Sequence, residues 1–285
     1  MGLKIWLGDG LVDEKDAKIS VFDHGLLYGD GVFEGIRVYN SRIFEFDAHI
    51  DRLFDSAKTI RLTMPMDKQG IKDATQKTVD ANNLKDGYIR LVVTRGVGSL
   101  GLNPFACEKA MVFIIADKIQ LYPKEFYEKG MKIISAVTMR NHPLTIPPQV
   151  KSLNYLNNIL AKIEALDNNV PECVMYNHMG YVAEASGDNV FIVKKGTLYT
   201  PTVEAGALVG ITRDLVMKLA RKENIPVVEK DLTRYDLYTC DEFFLTGTAA
   251  EVIGIVDIDG RIIGDGNVGP VTKLLRKRFF EYACG

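Results

Sequence analysis

The sequence has few cysteines, no long apolar run and almost no net charge, and each of these absences excludes a class of protein. Its four cysteines, Cys107, Cys173, Cys240 and Cys284, are far apart and form no C-x-x-C pair, which argues against a zinc site and against a redox dithiol. A net charge of −2 gives no basic surface for nucleic acid. We therefore expect a protein of the reducing cytoplasm that binds neither metal nor nucleic acid.

The sequence also contains no apolar run long enough to predict a membrane-spanning segment. The longest apolar runs, such as AMVFIIA from Ala110, have the length of a strand. The stretch MGLKIWLGDG lacks the cationic start and apolar core of a secretory signal. We expect neither export nor a membrane anchor. The 285 residues, 47% of them hydrophobic, suffice for one large domain or two modest ones.

The first 119 residues mix two periodicities and predict a small N-terminal α+β domain. The segment FEGIRVYNSRIFEF predicts a hairpin that turns at Asn40–Ser41. Helical spacing appears in HIDRLFDSAKTIRL and IKDATQKTVDANNL. The remaining predicted strands are KIWLGDGLV, AKISVFD, YIRLVVTRG and KAMVFIIADK.

Periodicity is lost around Tyr122–Pro123, which predicts an interdomain connector at 120–130. Residues 131–285 then form a larger C-terminal α/β domain, with helices predicted at 152–167, 212–224 and 270–283. Its predicted strands are MKIISAVTM, ECVMYN, NVFIVKKGTLYTP, IPVVEKDL, DEFFLTGT and VIGIVDIDGRII.

A lone lysine stands between a double proline and the first of these helices, in IPPQVKSLNYLNNILAKIEAL. Ser152 is predicted to cap the helix, so helix formation needs nothing from Lys151. The helix has an apolar stripe of Leu156, Ile159, Leu160 and Ile163. A partly desolvated lysine amine is a Schiff-base nucleophile. Taken alone, however, a lysine is more often a solvated surface residue.

Three further segments have both a functional and a structural interpretation. In GYVAEASGDNVFIV, Glu184 either meets a cationic ring nitrogen or lies on the surface of a hairpin. In LVGITRD, Thr212 opens a helix whose free N–H groups suit a phosphate, and TGTAAE exposes backbone N–H groups after Gly247. Read singly, these last two segments are more often explained by capping and tight turning than by anion binding.

Aromatic residues and one arginine predict a substrate pocket. Tyr88 and Arg90 share a strand face because side chains alternate with a period of two. With Tyr28 and Phe33 they suit a substrate that is apolar in one case and a dicarboxylate in another. Tyr28 and Phe33 are also plausible as core residues.

The order of these segments resembles the class IV aminotransferases, pyridoxal-phosphate enzymes of the D-amino-acid-aminotransferase fold, or fold type IV. The resemblance covers almost the whole chain and implies an α+β, two-domain fold with the cofactor at the domain interface. FEGIR, YIR and GTAAE most resemble the branched-chain amino acid aminotransferases. The full series is HGLLYGDGVFEGIR, HIDRLFDSAK, KSLNYLNN, GYVAEASGDNVF, GITRD, TGTAAE and GPVTKLLRKRFFE.

The resemblance implies a role for individual residues around pyridoxal 5′-phosphate. Lys151 is the catalytic lysine, which holds the cofactor as a Schiff base and carries the proton. Tyr155 lies near the phenolic oxygen and Glu184 at the pyridine nitrogen. The implied phosphate contacts are Arg52, Ile211, Thr212 and Thr248. The implied substrate pocket is Tyr28, Phe33, Gly35, Tyr88, Arg90, Leu102 from a neighbouring subunit, and the backbone of Thr248 and Ala249.

The implied activity is transfer of the amino group of leucine, isoleucine or valine to 2-oxoglutarate, in branched-chain amino acid biosynthesis, by a homodimer or larger homo-oligomer. The same fold implies two rivals, a D-amino acid aminotransferase and a 4-amino-4-deoxychorismate lyase. A catalytically silent scaffold is a third. A cofactor that borohydride fixes to the protein would exclude the scaffold, and L-leucine, D-alanine and aminodeoxychorismate would separate the enzymes.

Overall fold

The protein is described by a computed structural model that covers residues 2–119 and 121–285. These residues divide into two compact units, the first with 2–119 and 150–154, the second with 121–149 and 155–285. Residue 120, the first of the predicted connector, lies outside the described residues. The predicted domain limits stay a prediction. No helix among the described residues combines the length and apolarity that crossing a membrane requires.

The first unit is an antiparallel sheet of six strands in the order β2-β1-β6-β5-β3-β4. Its apolar core lies between the sheet and two helices, because Ile36, Ile50 and Ile71 from strand and helices are all fully buried. The elements are β1 (Lys4–Leu7), β2 (Gly10–Asp13), α1 (His24–Tyr28), β3 (Gly31–Tyr39), β4 (Arg42–Ile43), α2 (Phe46–Thr59), α3 (Lys68–Ala81), β5 (Gly87–Thr94) and β6 (Met111–Asp117), with 3-10 turns at Glu14–Asp16 and Pro104–Ala106.

The second unit is a mixed sheet in the order β12-β11-β10-β13-β14-β7-β8-β9, with β15 paired to β14. The strands are β7 (Met131–Ser135), β8 (Cys173–Tyr176), β9 (Val182–Ala185), β10 (Asn189–Lys194), β11 (Thr197–Thr200), β12 (Val227–Glu229), β13 (Glu242–Gly247), β14 (Glu251–Ile258) and β15 (Arg261–Ile262). The helices are α4 (Lys124–Lys129), α5 (Leu156–Asp167), α6 (Ile211–Lys222), α7 (Arg234–Thr239) and α8 (Pro270–Cys284).

Several local predictions were wrong for identifiable reasons. The strand predicted in AKISVFD does not form, and most of residues 17–22 are exposed without a regular partner strand. The short helices α1, α4 and α7 were missed because they are too short to show a helical period, and α4 lies inside the predicted connector. NVFIVKKGTLYTP and VIGIVDIDGRII were each predicted as one strand, but each is a hairpin.

Helix α5 begins at Leu156 rather than at Ser152, and its N-cap, Tyr155, makes no side-chain capping bond. The cause is a competing backbone interaction, because residues 151–153 lie extended beside β3. Phe33 N donates to Lys151 O at 3.0 Å, and Leu153 N donates to Gly31 O at 3.0 Å. The prediction that Ser152 caps α5 was therefore wrong.

Three hairpins use the same two-residue turn with both residues at positive φ. The turns are Asn40–Ser41 (48° and 65°), Lys195–Gly196 (49° and 75°) and Asp259–Gly260 (53° and 74°). Turns of this mirror-image type match the twist of antiparallel strands and favour Asn, Asp and Gly. The first hairpin confirms the predicted turn, and only Ser41 occupies the second position with a side chain.

Replacing Ser41 by glycine should therefore stabilise the protein. A residue with a Cβ is strained at φ 65°, and its removal should raise the free energy of unfolding by up to about 1 kcal/mol. Urea unfolding of Ser41→Gly and of the control Ser41→Ala measures the effect. The control keeps the Cβ, so an equal gain in both variants would contradict the explanation.

Candidate active site

Lys151 belongs to the first unit, where its backbone is held on both sides. Its N–H donates to Ser56 Oγ of α2 at 3.1 Å, and its carbonyl accepts from Phe33 N of β3. Val32 and Ser152 form the bridge between these bonds. The half-buried side chain places its ammonium nitrogen 4.6 Å from the centre of the Phe33 ring, which is a cation–π contact. This lysine is thus fixed by a strand edge, not by a helix end.

Arg90 and Tyr88 lie on one face of β5, as strand alternation predicted. The Arg90 guanidinium lies 4.6 Å from the Phe33 ring centre and 5.6 Å from that of Tyr88. Gly35 pairs with Arg90 across the sheet, and a Cβ built on Gly35 would lie 1.8 Å from the Tyr88 hydroxyl oxygen. The absence of a side chain at Gly35 is therefore what admits the Tyr88 ring. Phe33 thus contacts two cations, Lys151 and Arg90.

Tyr28 ends helix α1, and its hydroxyl oxygen accepts from Gly101 N at 2.9 Å. It thereby holds the loop that carries Leu102. Leu102 itself is 81% exposed, so the structure does not bring it together with the other predicted pocket residues. Other exposed apolar side chains of this unit are those of Phe22, Leu26, Val97, Leu100 and Phe105.

Arg52 is held by a buried carboxylate that the sequence did not predict. Its Nε and Nη2 donate to Glu34 Oε1 and Oε2 at 2.8 and 2.7 Å. The second Glu34 oxygen also accepts from His49 Nδ1 at 2.7 Å. Burial alone acts to raise the pKa of Glu34, but the charge of Arg52 and the hydrogen bonds from Arg52 and His49 lower it to about 2. Burial lowers the pKa of His49, so that its imidazole is neutral near pH 7.

Glu184 lies on β9 of the second unit and is buried, which excludes its interpretation as a surface glutamate. Arg140 Nη2 lies 2.8 Å from its Oε1, and Leu208 N donates to its Oε2 at 2.8 Å. Asn158 of α5 accepts from Arg140 Nη1 and donates to Ser186 O. The loop after β7 and the loop before α6 thus hold this carboxylate in one orientation, and Asn158 of α5 supports Arg140.

Helix α6 begins with the predicted pair Ile211 and Thr212. Its N-cap is Gly210, and none of the described side chains caps it. The Thr212 hydroxyl oxygen is buried and has no hydrogen-bond partner among the described residues. A Cβ on Gly210 would lie 1.9 Å from Asn189 Oδ1, so only glycine lets the chain enter the helix beside Asn189. The first turn thus keeps donors available for an anion.

Thr248 and Ala249 lie in the three-residue loop between β13 and β14. Glu251 follows with φ 62°, the left-handed position that closes such hairpin loops. A Cβ on Gly247 would lie 2.0 Å from Asp188 Oδ1. The glycine therefore allows the loop to approach the segment after Glu184. Tyr155 is half-buried at the start of α5.

Sequence analysis did not identify Glu34, His49 and Ser56 as residues around Arg52 and Lys151. It also did not identify Arg140 and Asn158 as residues around Glu184. One signal was available for Glu34. Phe33 and Glu34 are expected on opposite faces of a strand in the mostly apolar segment GVFEGIRVY, and a carboxylate buried in such a strand needs a charged partner. Nothing comparable marked Arg140, since its contacts with α5 and β9 span 18 and 44 positions of the chain.

Comparison with known proteins identifies the family. The model of the family described as amino-transferase class IV matches residues 31–258. The chain belongs to the class IV aminotransferase family. The fold expected from the resemblance is confirmed by a crystal structure of a branched-chain amino acid aminotransferase from Escherichia coli, with a TM-score of 0.97, 37% identity and coverage of 100% of this chain and 96% of that one.

Proteins named branched-chain amino acid aminotransferases from other organisms are also similar over nearly their whole length. The branched-chain-amino-acid aminotransferase of Pseudomonas aeruginosa is 42% identical, with 99% of this chain and 93% of that protein covered. The T.th. branched-chain amino acid aminotransferase with pyridoxamine 5′-phosphate has a TM-score of 0.96, 36% identity and coverage of 100% and 95%. Further structures of the T.th. protein contain N-(5′-phosphopyridoxyl)-L-glutamate and 4-methylvaleric acid.

Proposed function

We propose that this class IV aminotransferase uses pyridoxal 5′-phosphate to exchange the amino group of leucine, isoleucine or valine with 2-oxoglutarate. The observation that carries the proposal is the Lys151 amine, fixed by β3 and α2 and lying against Phe33 beside Arg90. It supplies a nucleophile and base next to a wall that is both aromatic and cationic. A relative at 42% identity that is named for this activity supports the choice of substrate.

The residues fit the proposed cofactor by an independent observation. The buried, unpartnered Thr212 hydroxyl and the first turn of α6 offer donors in the second unit. Such donors at a helix N-terminus suit a phosphate group. We assign phosphate binding to Arg52, Ile211, Thr212 and Thr248, the pyridine nitrogen to Glu184, and the phenolic oxygen to Tyr155. When bound, the cofactor supplies an aldehyde carbon and a ring that accepts electrons.

The residues of the chain have separate proposed roles in proton transfer, cofactor binding and substrate binding. Lys151 Nζ would hold the cofactor covalently and, once the substrate amine has displaced it, would be free to take the proton from the substrate Cα. Glu184, oriented by Arg140 and Leu208 N, would accept a hydrogen bond from the ring nitrogen of the cofactor and so favour its protonated form. The backbone of Thr248 and Ala249 holds the α-carboxylate. Tyr28, Phe33, Gly35 and Tyr88 surround the substrate side chain.

Arg90 resolves the main difficulty of this reaction, which is that leucine and glutamate side chains differ by a full charge. Its planar fork can pair with the γ-carboxylate of glutamate. With an apolar substrate it stays against Phe33 and within 3.5 Å of the Tyr88 hydroxyl. The T.th. relative, with both a glutamate adduct and 4-methylvaleric acid, supports such dual use.

A homo-oligomer is part of the proposal. The apolar stripe of α5 does not pack into a core; Leu156, Ile159, Leu160, Ile163 and Leu166 are 46–68% exposed, while Asn158, Ala161 and Ala165 form the buried face. Apolar patches of this kind mark interaction surfaces. We assign the α5 stripe and the exposed Leu102 loop to contacts with further copies of the chain. The four cysteines are thiols rather than disulfides, which fits the proposed cytoplasmic location.

Lys151→Ala should lose covalent cofactor and turnover together. Without the amine, borohydride reduction should leave no cofactor mass on the protein, and transamination should fall by at least about 10²–10⁴-fold because proton transfer is lost. Part of the cofactor affinity should remain. Peptide mass mapping and amino-group transfer from L-leucine measure both. The exposed Lys109→Ala serves as control, and cofactor mass on any other lysine would refute the assignment.

Arg90→Leu should separate the two halves of the reaction. The half reaction with L-glutamate should slow by about 10–100-fold, since a charged hydrogen bond is lost, whereas the half reaction with L-leucine should change little. Stopped-flow spectra of the holoenzyme measure each rate, with Arg90→Lys as the variant that keeps charge without the fork. Equal losses for both amino acids would exclude this role. Turnover of D-alanine but not L-leucine would favour a D-amino acid aminotransferase.

Ile159→Glu should disrupt the oligomer. A carboxylate in the centre of a buried apolar contact is unfavourable, so the mass measured by light scattering after gel filtration should fall at micromolar concentration. Ile262→Glu, at a similarly exposed site on β15, is the matched control. An unchanged mass for Ile159→Glu would show that the α5 stripe is not the contact.

A further inference from the structure

The contacts of Glu34 form a buried ionic cluster whose members are Glu34, His49 and Arg52. The side chains of Glu34 and His49 are fully buried, and that of Arg52 is 13% exposed. Glu34 comes from β3, while His49 and Arg52 are three residues apart on α2 and therefore share one helix face. Ser56, one turn further along the same face, holds the backbone of Lys151.

Stability alone does not explain this cluster. Charges lose their hydration on burial, and apolar residues of similar volume are often at least as stabilising as a buried ion pair. The neighbouring Ile50 and Leu53 on α2 and Ile36 on β3 pack in that way. A carboxylate at this position therefore calls for another explanation.

The geometry of the pair restricts Arg52. Glu34 takes the Nε and Nη2 edge of the guanidinium in a bidentate contact. Such a fork fixes both the position and the plane of the group. The edge that carries Nη1 then points away from Glu34. His49 completes the arrangement, because its Nδ1 contacts the same carboxylate oxygen as Arg52 Nη2 and so prevents that oxygen from swinging out of the fork.

Protonation states support this arrangement. The low pKa of Glu34 makes it an ionised acceptor across the physiological range. Because a carboxylate only accepts, the neutral His49 must carry its proton on Nδ1. The cluster therefore consists of one anion (Glu34), one cation (Arg52) and one neutral donor (His49). These charges stay the same across the physiological pH range, so the bidentate contact stays intact.

We propose that Glu34 is a positioning residue, which holds Arg52 in the orientation that presents its Nη1 edge to the cofactor phosphate. This rests on the proposed function, in which Arg52 binds that phosphate. Glu34 thus acts through Arg52 and touches neither cofactor nor substrate. His49 supports it by holding the shared carboxylate oxygen.

The chain offers a matched control for this proposal. Asp30 and Arg95 form a second bidentate pair in the same unit, with Nε–Oδ2 and Nη2–Oδ1 distances of 2.9 Å. The Arg95 guanidinium also donates to the backbone carbonyls of Ile60 and Arg61, which are structural contacts. Losing Asp30 should affect folding in a similar way to losing Glu34, but should not affect phosphate recognition.

The experiment measures the binding of two probes, pyridoxal 5′-phosphate and pyridoxal, which lacks the phosphate. Each probe is added to apoprotein prepared from the holoenzyme of each variant. The ratio of the two dissociation constants reports phosphate recognition alone. Glu34→Gln should reduce this preference by about tenfold or more, with pyridoxal binding nearly unchanged. Asp30→Asn should leave the ratio as in the parent protein. A merely structural role would weaken both probes equally and overturn the proposal.

Arg52→Met separates this inference from the function on which it rests. If Arg52→Met leaves the ratio unchanged, the phosphate role of Arg52 fails. If Arg52→Met lowers the ratio and Glu34→Gln does not, the positioning role of Glu34 fails. In the Arg52→Met background, Glu34→Gln should have no further effect on the ratio. If Glu34→Gln does not fold, Glu34→Asp replaces it, because it keeps the charge but shortens the side chain. This variant must then lower the ratio of the two dissociation constants, and an unchanged ratio overturns the proposal.

Discussion

The pairing of residues 151–153 with the edge of strand β3 is the interaction on which the rest of the candidate site depends. Main-chain hydrogen bonds from Phe33 N and Leu153 N lock the segment in register, and this register decides which side chain lies against the Phe33 ring. A shift by one residue would turn the amine to the opposite face of the strand. The position of the lysine is therefore fixed by the backbone.

Strand β3 extends this principle to three consecutive residues. Phe33 contacts the Lys151 amine, Glu34 on the opposite face holds Arg52, and Gly35 gives room to Tyr88. In the proposed function, alternation along this one strand would therefore serve the covalent chemistry, the recognition of the phosphate and the shape of the pocket. In the second unit, by contrast, the side chain of Glu184 is held by groups from two loops, those of Arg140 and Leu208, and Arg140 is in turn held by helix α5.

Sequence reasoning reached those features that depend on local pattern. The β3–β4 hairpin, the long helices α2, α3, α6 and α8, and the shared face of Tyr88 and Arg90 all follow from periodicity or turn residues. Family resemblance supplied the overall fold. The start of α5 was mispredicted because a tertiary pairing with β3 overrode a good capping residue. The apolar stripe of α5 was read correctly as a pattern, but the pattern alone does not tell a core face from a face exposed on the chain.

The partners of the predicted residues lay beyond local reasoning. Arg140 contacts Glu184 over a separation of 44 positions, and no spacing rule joins them.

The contact of Gly35 with Tyr88 has a consequence of its own for how this protein can change over evolutionary time. Because an added methyl group would occupy the space of the tyrosine hydroxyl, a larger residue at position 35 would require the Tyr88 side chain to move or to be replaced. Substitutions at the two positions are therefore physically coupled.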